Sequence, residues 1–108
     1  MKRGDLITAA VQGDYGKPRP ALIVQADLFN ETHTSITVLP ITSSIVDAPL
    51  FRLTIDPSRR NGLTRVSQVM VDKAITLPRA KIGKVIGKFG DDTMIRVNRA
   101  LSVWLGIA

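Results

Sequence analysis

Lys17-Pro18-Arg19-Pro20-Ala21-Leu22-Ile23-Val24-Gln25 is where the chain changes character. The stretch from Gln12 to Pro20 carries Gly13, Gly16, Pro18 and Pro20 and reads as a loop. Glycine opens backbone angles closed to other residues, whereas proline fixes its own φ and restricts the residue before it. The loop is therefore permissive at its start and stiff at its exit. From Ala21 to Gln25 the sequence is an uninterrupted, β-branched-rich run, which reads as a buried strand.

Working outward, the same pattern repeats. Leu6 to Val11 precedes the loop as a first strand, and Ser35 to Ile41 follows as a third. Leu50 to Ile55 alternates, with Phe51, Leu53 and Ile55 on one face. Asp56 to Gly62 is a polar turn containing Pro57, Asn61 and Gly62. Thr64 to Val71 also alternates, which places Val66, Gln68 and Met70 on a core face and Arg65, Ser67 and Val69 on the other. Ala74 to Leu77 and Lys84 to Phe89 are shorter candidates. These runs are short and bounded by Gly, Pro, Asn and Asp, as strands are.

One segment has helical period. Met94, Val97, Leu101 and Trp104 recur at three- and four-residue steps, with Ile95 and Leu105 beside them and Arg96 and Arg99 opposite. Asp91 or Asp92 can cap its start by accepting backbone N–H bonds, and Gly106 suits the position just past its end. The expected architecture is mainly β: a small, strongly bent barrel closed by a C-terminal amphipathic helix, in one domain spanning residues 1–108.

Composition narrows the function. The absence of cysteine excludes disulfides and thiolate zinc sites. A lone histidine, His33, excludes chemistry that needs two imidazoles, and in its polar connection it reads as a surface residue. The opening Met-Lys-Arg resembles a secretory head, but the apolar run after Asp5 is too short to be one, and no stretch reaches the ~20 apolar residues of a membrane span. These features point to the cytoplasm. The net charge of +6 is unevenly spread. Residues 1–56 hold five Lys/Arg against six Asp/Glu, and residues 57–108 hold ten against three. Between Arg59 and Lys88, eight basic residues meet one acid, Asp72. Clustered charge raises the potential that attracts polyanions, so the candidates are nucleic acid, then an acidic protein, against a merely solvated basic face.

Three segments carry chemistry. Arg19, held between two prolines, is either a fork for phosphate or a surface arginine beside a turn. Thr42, Ser43 and Ser44 follow the end of a buried strand, where hydroxyls bind phosphate or ribose or else satisfy loop backbone. Arg65 and Ser67 share a strand face beyond Gly62-Leu63-Thr64, with Arg59 and Arg60 in the preceding turn as an extended basic rim. No phosphate-binding loop, dinucleotide fingerprint or zinc spacing appears.

These pieces, in their order, resemble the MazF/PemK toxins of type II toxin-antitoxin systems. The resemblance lies in Arg3-Gly4-Asp5-Leu6-Ile7, in Lys17 to Gln25 followed by Asp27-Leu28-Phe29-Asn30, in Leu39-Pro40-Ile41-Thr42, in Gly62-Leu63-Thr64-Arg65-Val66-Ser67, and in Asp91-Asp92-Thr93-Met94 with the Leu105-Gly106 exit. It implies an SH3-like barrel of the CcdB/MazF type, a homodimer, and sequence-specific, metal- and cofactor-independent cleavage of single-stranded mRNA. It places the key arginine on Arg19, the key hydroxyl on Thr42 and a further basic position on Arg65. Some members carry a carboxylate where this chain has Ser67. The loop from Gln12 to Lys17, with Asp14, Tyr15 and Lys17, would cover substrate, with Ser43, Arg59 and Arg60 as supporting contacts. A cognate antitoxin with an acidic inhibitory segment is the expected partner. Two other readings share these observations: a CcdB-like gyrase-inhibiting toxin, suggested by the Trp104-Leu105-Gly106-Ile107 ending, and a non-catalytic basic barrel that binds nucleic acid or protein.

Overall fold

The computed structural model describes residues 1–10 and 17–107. Seven strands and two helices follow one another: β1 (Asp5–Ala10), β2 (Pro18–Ile23), α1 (Asp27–Asn30), β3 (Ser35–Thr42), β4 (Arg52–Ile55), β5 (Ser67–Met70), β6 (Ile75–Pro78), β7 (Ile82–Lys88) and α2 (Asp91–Leu105). All pairings are antiparallel, in the order β4-β5-β3-β2-β1-β7, with β6 added to β3.

The long strand β3 bends the sheet. Its first half, Ser35 to Val38, pairs with β6, whereas its last residues, Ile41 and Thr42, pair with β5. One strand thus serves two partners along the same edge, while β2 takes Val38 to Pro40 on the other. The β1–β7 ladder shifts register on either side of Ile7, and such irregularities sharpen bending and twist. Burial falls on both faces of the curved sheet. Leu6, Leu22, Leu39, Leu53 and Val69 join one cluster, which α2 caps with Val97 and Ala100. Ile7, Ala21, Ile23, Ile36 and Val38 form a second cluster with Leu77. The unbroken apolar run at Ala21 to Ile23 follows from this, since adjacent residues enter different clusters.

The loop before Ala21 ends earlier than its prolines suggest. Pro18, Arg19 and Pro20 already pair with β1, with Ala9 opposite Arg19. The missing proline N–H groups cost nothing at the start of a strand. Gln12 to Gly16 lie outside the described residues. In the Thr64–Val71 stretch the expected alternation of faces does not hold: Gln68 is buried as expected, but so are Ser67 and Val69. Val69 is fully buried and Val66 is 43% exposed, because strand geometry begins only at Ser67 and residues 64–65 bend. The helix also differs at its start. Gly90 is the N-cap without a side-chain bond, and Asp91 and Asp92 occupy the first turn, where their charge complements the positive end of the helix dipole. At the other end Gly106 has φ +74°, and Ile107 N–H donates to the Ser102 carbonyl at 2.9 Å, closing the helix as expected. The short helix α1 lacks enough length to leave a periodic signal. Asn30 stabilises it by donating to the Gln25 carbonyl and to Asp27.

Candidate active site

Thr42 is the last residue of β3, and Arg19 is the second of β2. The β2–β3 register pairs Ala21 with Pro40, which brings the end of β2 that carries Arg19 beside the end of β3 that carries Thr42. A cleft of about 870 Å³ opens at this end of the barrel. Arg19 and Pro20 form one wall, Pro40 to Ser44 a second, and Gly62 to Arg65 with Ser67 a third. Met70, Lys73, Ile75 and Ile86 complete it. Three cations line this space, and no carboxylate does among the described residues.

The third wall is held by close backbone contact. Gly62 has φ +73°, and a Cβ there would stand 2.1 Å from the Ile86 carbonyl oxygen. Only glycine lets the turn pack directly on β7, from which Leu63 enters the core and Thr64 and Arg65 reach the cleft. Asn61 braces the same turn. Its carbonyl oxygen accepts from Ser58 and Leu63 N–H, both at 3.0 Å, and its amide donates to the Asp56 carbonyl.

The hydroxyls are not equivalent. Ser67 is buried and donates its proton to the Arg65 carbonyl at 2.9 Å, so it shapes the bend that presents Arg65. Thr42 is half-buried, and its Oγ1 accepts the Ser44 N–H at 3.1 Å. That bond occupies a lone pair and leaves the hydroxyl hydrogen available to donate. Arg19 and Arg65 are exposed.

The structure therefore brings Arg19, Thr42, Ser43, Arg65 and Ser67 together. Other expected contacts lie elsewhere. Lys17 is exposed beside the cleft's first wall but does not line it, and Asp14 and Tyr15 lie outside the described residues. Arg60 lines a separate cavity of about 510 Å³, with Lys88, Asp91, Asp92 and Arg96 near the start of α2. Arg59 is exposed in the same turn and lines neither space. The turn that carries both arginines folds back on β7, where the Arg60 carbonyl accepts Lys88 N–H at 2.9 Å, and so faces away from the cleft. Lys73 went unrecognised. It belongs to the basic cluster, but only the 3₁₀ turn Val71–Lys73 after β5 brings it to the cleft.

A small bent β-sheet with a cationic, hydroxyl-lined cleft at the ends of its central strands defines a basic barrel suited to a polyanion. The sequence model of the family described as PemK-like, MazF-like toxin of type II toxin-antitoxin system matches residues 2–105. The chain belongs to that family. It is 50% identical over 109 residues to the probable endoribonuclease MazF of Mycolicibacterium smegmatis, covering 100% of this chain and 99% of that protein. It is 27% identical over 111 residues to the endoribonuclease EndoA of Bacillus subtilis, covering 99% and 96%. Among solved structures, an endoribonuclease in complex with its cognate antitoxin, from a mycobacterial species, superposes with a TM-score of 0.83 at 25% identity, covering 100% of this chain and 97% of that one. By its named members the family is one of endoribonucleases, and the chain is an enzyme of that class.

Proposed function

We propose that this protein is the toxin of a toxin-antitoxin pair and cleaves single-stranded RNA at the cleft between β2 and β3, using the substrate's own 2′-hydroxyl as nucleophile. The observation that carries the reading is the meeting of Arg19, Thr42 and Arg65 in a cleft whose described lining has no carboxylate. Such a site binds a phosphodiester and stabilises charge. The lining offers hydroxyls but, among the described residues, no carboxylate to activate one, and RNA carries its own nucleophile.

In the proposed step the 2′-oxygen attacks the adjacent phosphorus, its proton leaves, and the bond from phosphorus to the 5′-oxygen breaks as that oxygen gains a proton. The products are a 2′,3′-cyclic phosphate and a 5′-hydroxyl. The protein holds the 2′-oxygen, phosphorus and 5′-oxygen in line and stabilises the charge that builds on the non-bridging oxygens, the two large contributions open to it. Arg19 supplies charge and a two-pronged donor. Thr42 donates the hydrogen left free by its bond with Ser44. Arg65 anchors a flanking phosphate, and Ser67 holds Arg65 in place. No step calls for a metal.

The same cleft fits an extended acidic segment of a cognate antitoxin, which would compete with RNA and weaken as salt rises. A homodimer belongs to the reading. Trp104, Leu105 and Ile107 at the end of α2 are 50%, 60% and 76% exposed, apolar area that a second copy would cover. Among the described residues no helix is long and apolar enough to cross a membrane. The cytoplasm is the proposed site of action. Incubation with mixed-sequence RNA in EDTA tests the reading: discrete fragments ending in cyclic phosphate are expected, and intact RNA would refute it.

A further inference from the structure

Beyond Thr42 the chain continues along the edge of the cleft, where Ser43 and Ser44 line the cavity. Among the described residues, segment 43–47 is tied to the body of the protein through side chains. Thr42 takes the Ser44 N–H. Gln68 takes the Val46 N–H on Oε1 at 3.1 Å and returns Nε2–H to the Val46 carbonyl at 2.9 Å. This two-bond pairing with one residue's backbone does what a neighbouring strand would do. Arg52 reinforces it, with Nη1 3.5 Å from the Ser44 carbonyl and 3.4 Å from Gln68 Oε1.

Gln68 is 3% exposed in the central strand of the β4-β5-β3 trio, opposite Thr42 on one side and Thr54 on the other. Its Nε2 also donates to Thr54 Oγ1 at 3.2 Å. Both acceptor sites and both amide hydrogens are therefore used. The orientation of the amide is unambiguous, because the Val46 N–H can only donate and its carbonyl can only accept. A buried amide is costly unless it is fully bonded, and an aliphatic residue such as the adjacent Val69 would fill this strand position without that demand. The bonds of Gln68 are directed at the segment that continues from Thr42.

We propose that Gln68 is a positioning residue for RNA cleavage: by clamping Val46 it holds the rim so that Ser44 N–H stays on Thr42 Oγ1 and the Thr42 hydrogen points at the phosphate. The proposal rests on the reading of the cleft as an RNA-cleaving site. If the clamp opens, Ser44 leaves, and the Thr42 hydroxyl turns freely instead of being set as a donor. Misplacement by about 1 Å is enough to cost ~10²-fold in rate.

Two variants of the full-length protein test this. Gln68→Met keeps length and apolar packing but cannot clamp. Single-turnover cleavage should fall ~30-fold, while affinity for an uncleavable RNA with one 2′-deoxy residue changes less than ~3-fold. Amide hydrogen exchange at Ser44 and Val46 should accelerate well beyond that at Val69. Gln68→Glu covers the case in which the Met variant fails to fold. Its carboxylate still accepts from Val46 N–H but opposes the Val46 carbonyl, and protonation restores the missing donor. Cleavage relative to the unaltered protein should therefore recover as pH falls through the carboxyl range. A folded Gln68→Met variant with unaltered single-turnover rate, or a Gln68→Glu variant whose relative rate is flat with pH and whose Ser44 exchange is unaltered, would overturn the proposal. If the unaltered protein leaves RNA intact, the cleft's assignment fails instead, while accelerated exchange at Ser44 would still establish the clamp.

Discussion

Replacing Arg19 by alanine separates catalysis from folding. Arg19 lies on β2 opposite Ala9 with its side chain exposed, so the substitution opens no cavity in either apolar cluster. Exposed strand positions away from buried networks tolerate change within about 1 kcal/mol. For a domain of this size that corresponds to a fall in melting temperature of at most ~8 °C. The effect on chemistry is much larger. In the proposed mechanism Arg19 supplies a preorganised charge where the phosphorane develops, and losing one such donor typically costs about 3–4 kcal/mol, or ~10²–10³ in rate. Single-turnover cleavage of a defined RNA, with thermal unfolding in the same buffer, reads both quantities. Arg19→Lys sharpens the comparison, because it keeps the charge and loses the planar fork, and it should fall between the two. Cleavage by Arg19→Ala within a factor of about three of the unaltered protein would remove Arg19 from the mechanism.

Thr42→Val keeps the side chain's shape but removes both the bond to Ser44 and the donor for phosphate; at ~1.5–3 kcal/mol for a hydrogen bond to a charged group, single-turnover cleavage should slow ~10–100-fold, and Thr42→Ser should restore most of it. Lys73→Gln should weaken RNA binding and lower the slope of log affinity against log salt by about 0.7, the share of one phosphate contact in a single strand, whereas Arg60→Ala, outside the cleft, should leave the chemical step unaltered. Asp27 accepts the Arg3 backbone N–H, which with the Asn30 side chain holds its carboxyl below the ordinary value of 3.8. A lowered folded-state value contributes stability above the unfolded pKa that is lost as pH falls through the folded one. Acid unfolding should therefore show a dependence in this range that Asp27→Asn abolishes.

Much of this arrangement was legible from local pattern. The apolar run from Ala21, expected to reach Gln25 and ending as strand at Ile23, and the helical period from Met94 to Trp104 report constraints that act within a few residues, whereas the Pro-Arg-Pro segment expected as a loop exit is already strand. The end of the helix was equally legible, because an αL C-cap favours glycine for reasons local to Gly106. Register was not. Thr64 to Val71 alternates in sequence, yet only Ser67–Met70 joins the sheet, so Val69 enters the core and Val66 does not. Alternation alone does not say where a strand begins, and a one-residue error inverts every face. Arg59 and Arg60 fall outside the cleft for a related reason: the Gly62 turn folds back on β7, which sends Arg60 toward the start of α2 and brings Arg65 to the cleft. Lys73 and Gln68 depend on contacts between strands far apart in sequence and leave no local trace. The meeting of Arg19 and Thr42 in one cleft is also long-range, and only the family resemblance pointed to it.

The central claim is that the substrate supplies the nucleophile while Arg19 and Thr42 supply charge and alignment. An RNA carrying a single 2′-deoxy residue immediately 5′ to the scissile phosphate tests it most directly. This substrate should bind with nearly the affinity of the all-ribose RNA and remain uncut, while the all-ribose RNA yields a 2′,3′-cyclic phosphate and a 5′-hydroxyl. Cleavage of the deoxy substrate at a comparable rate would contradict the account, because water or a group of the protein would then have to attack the phosphorus.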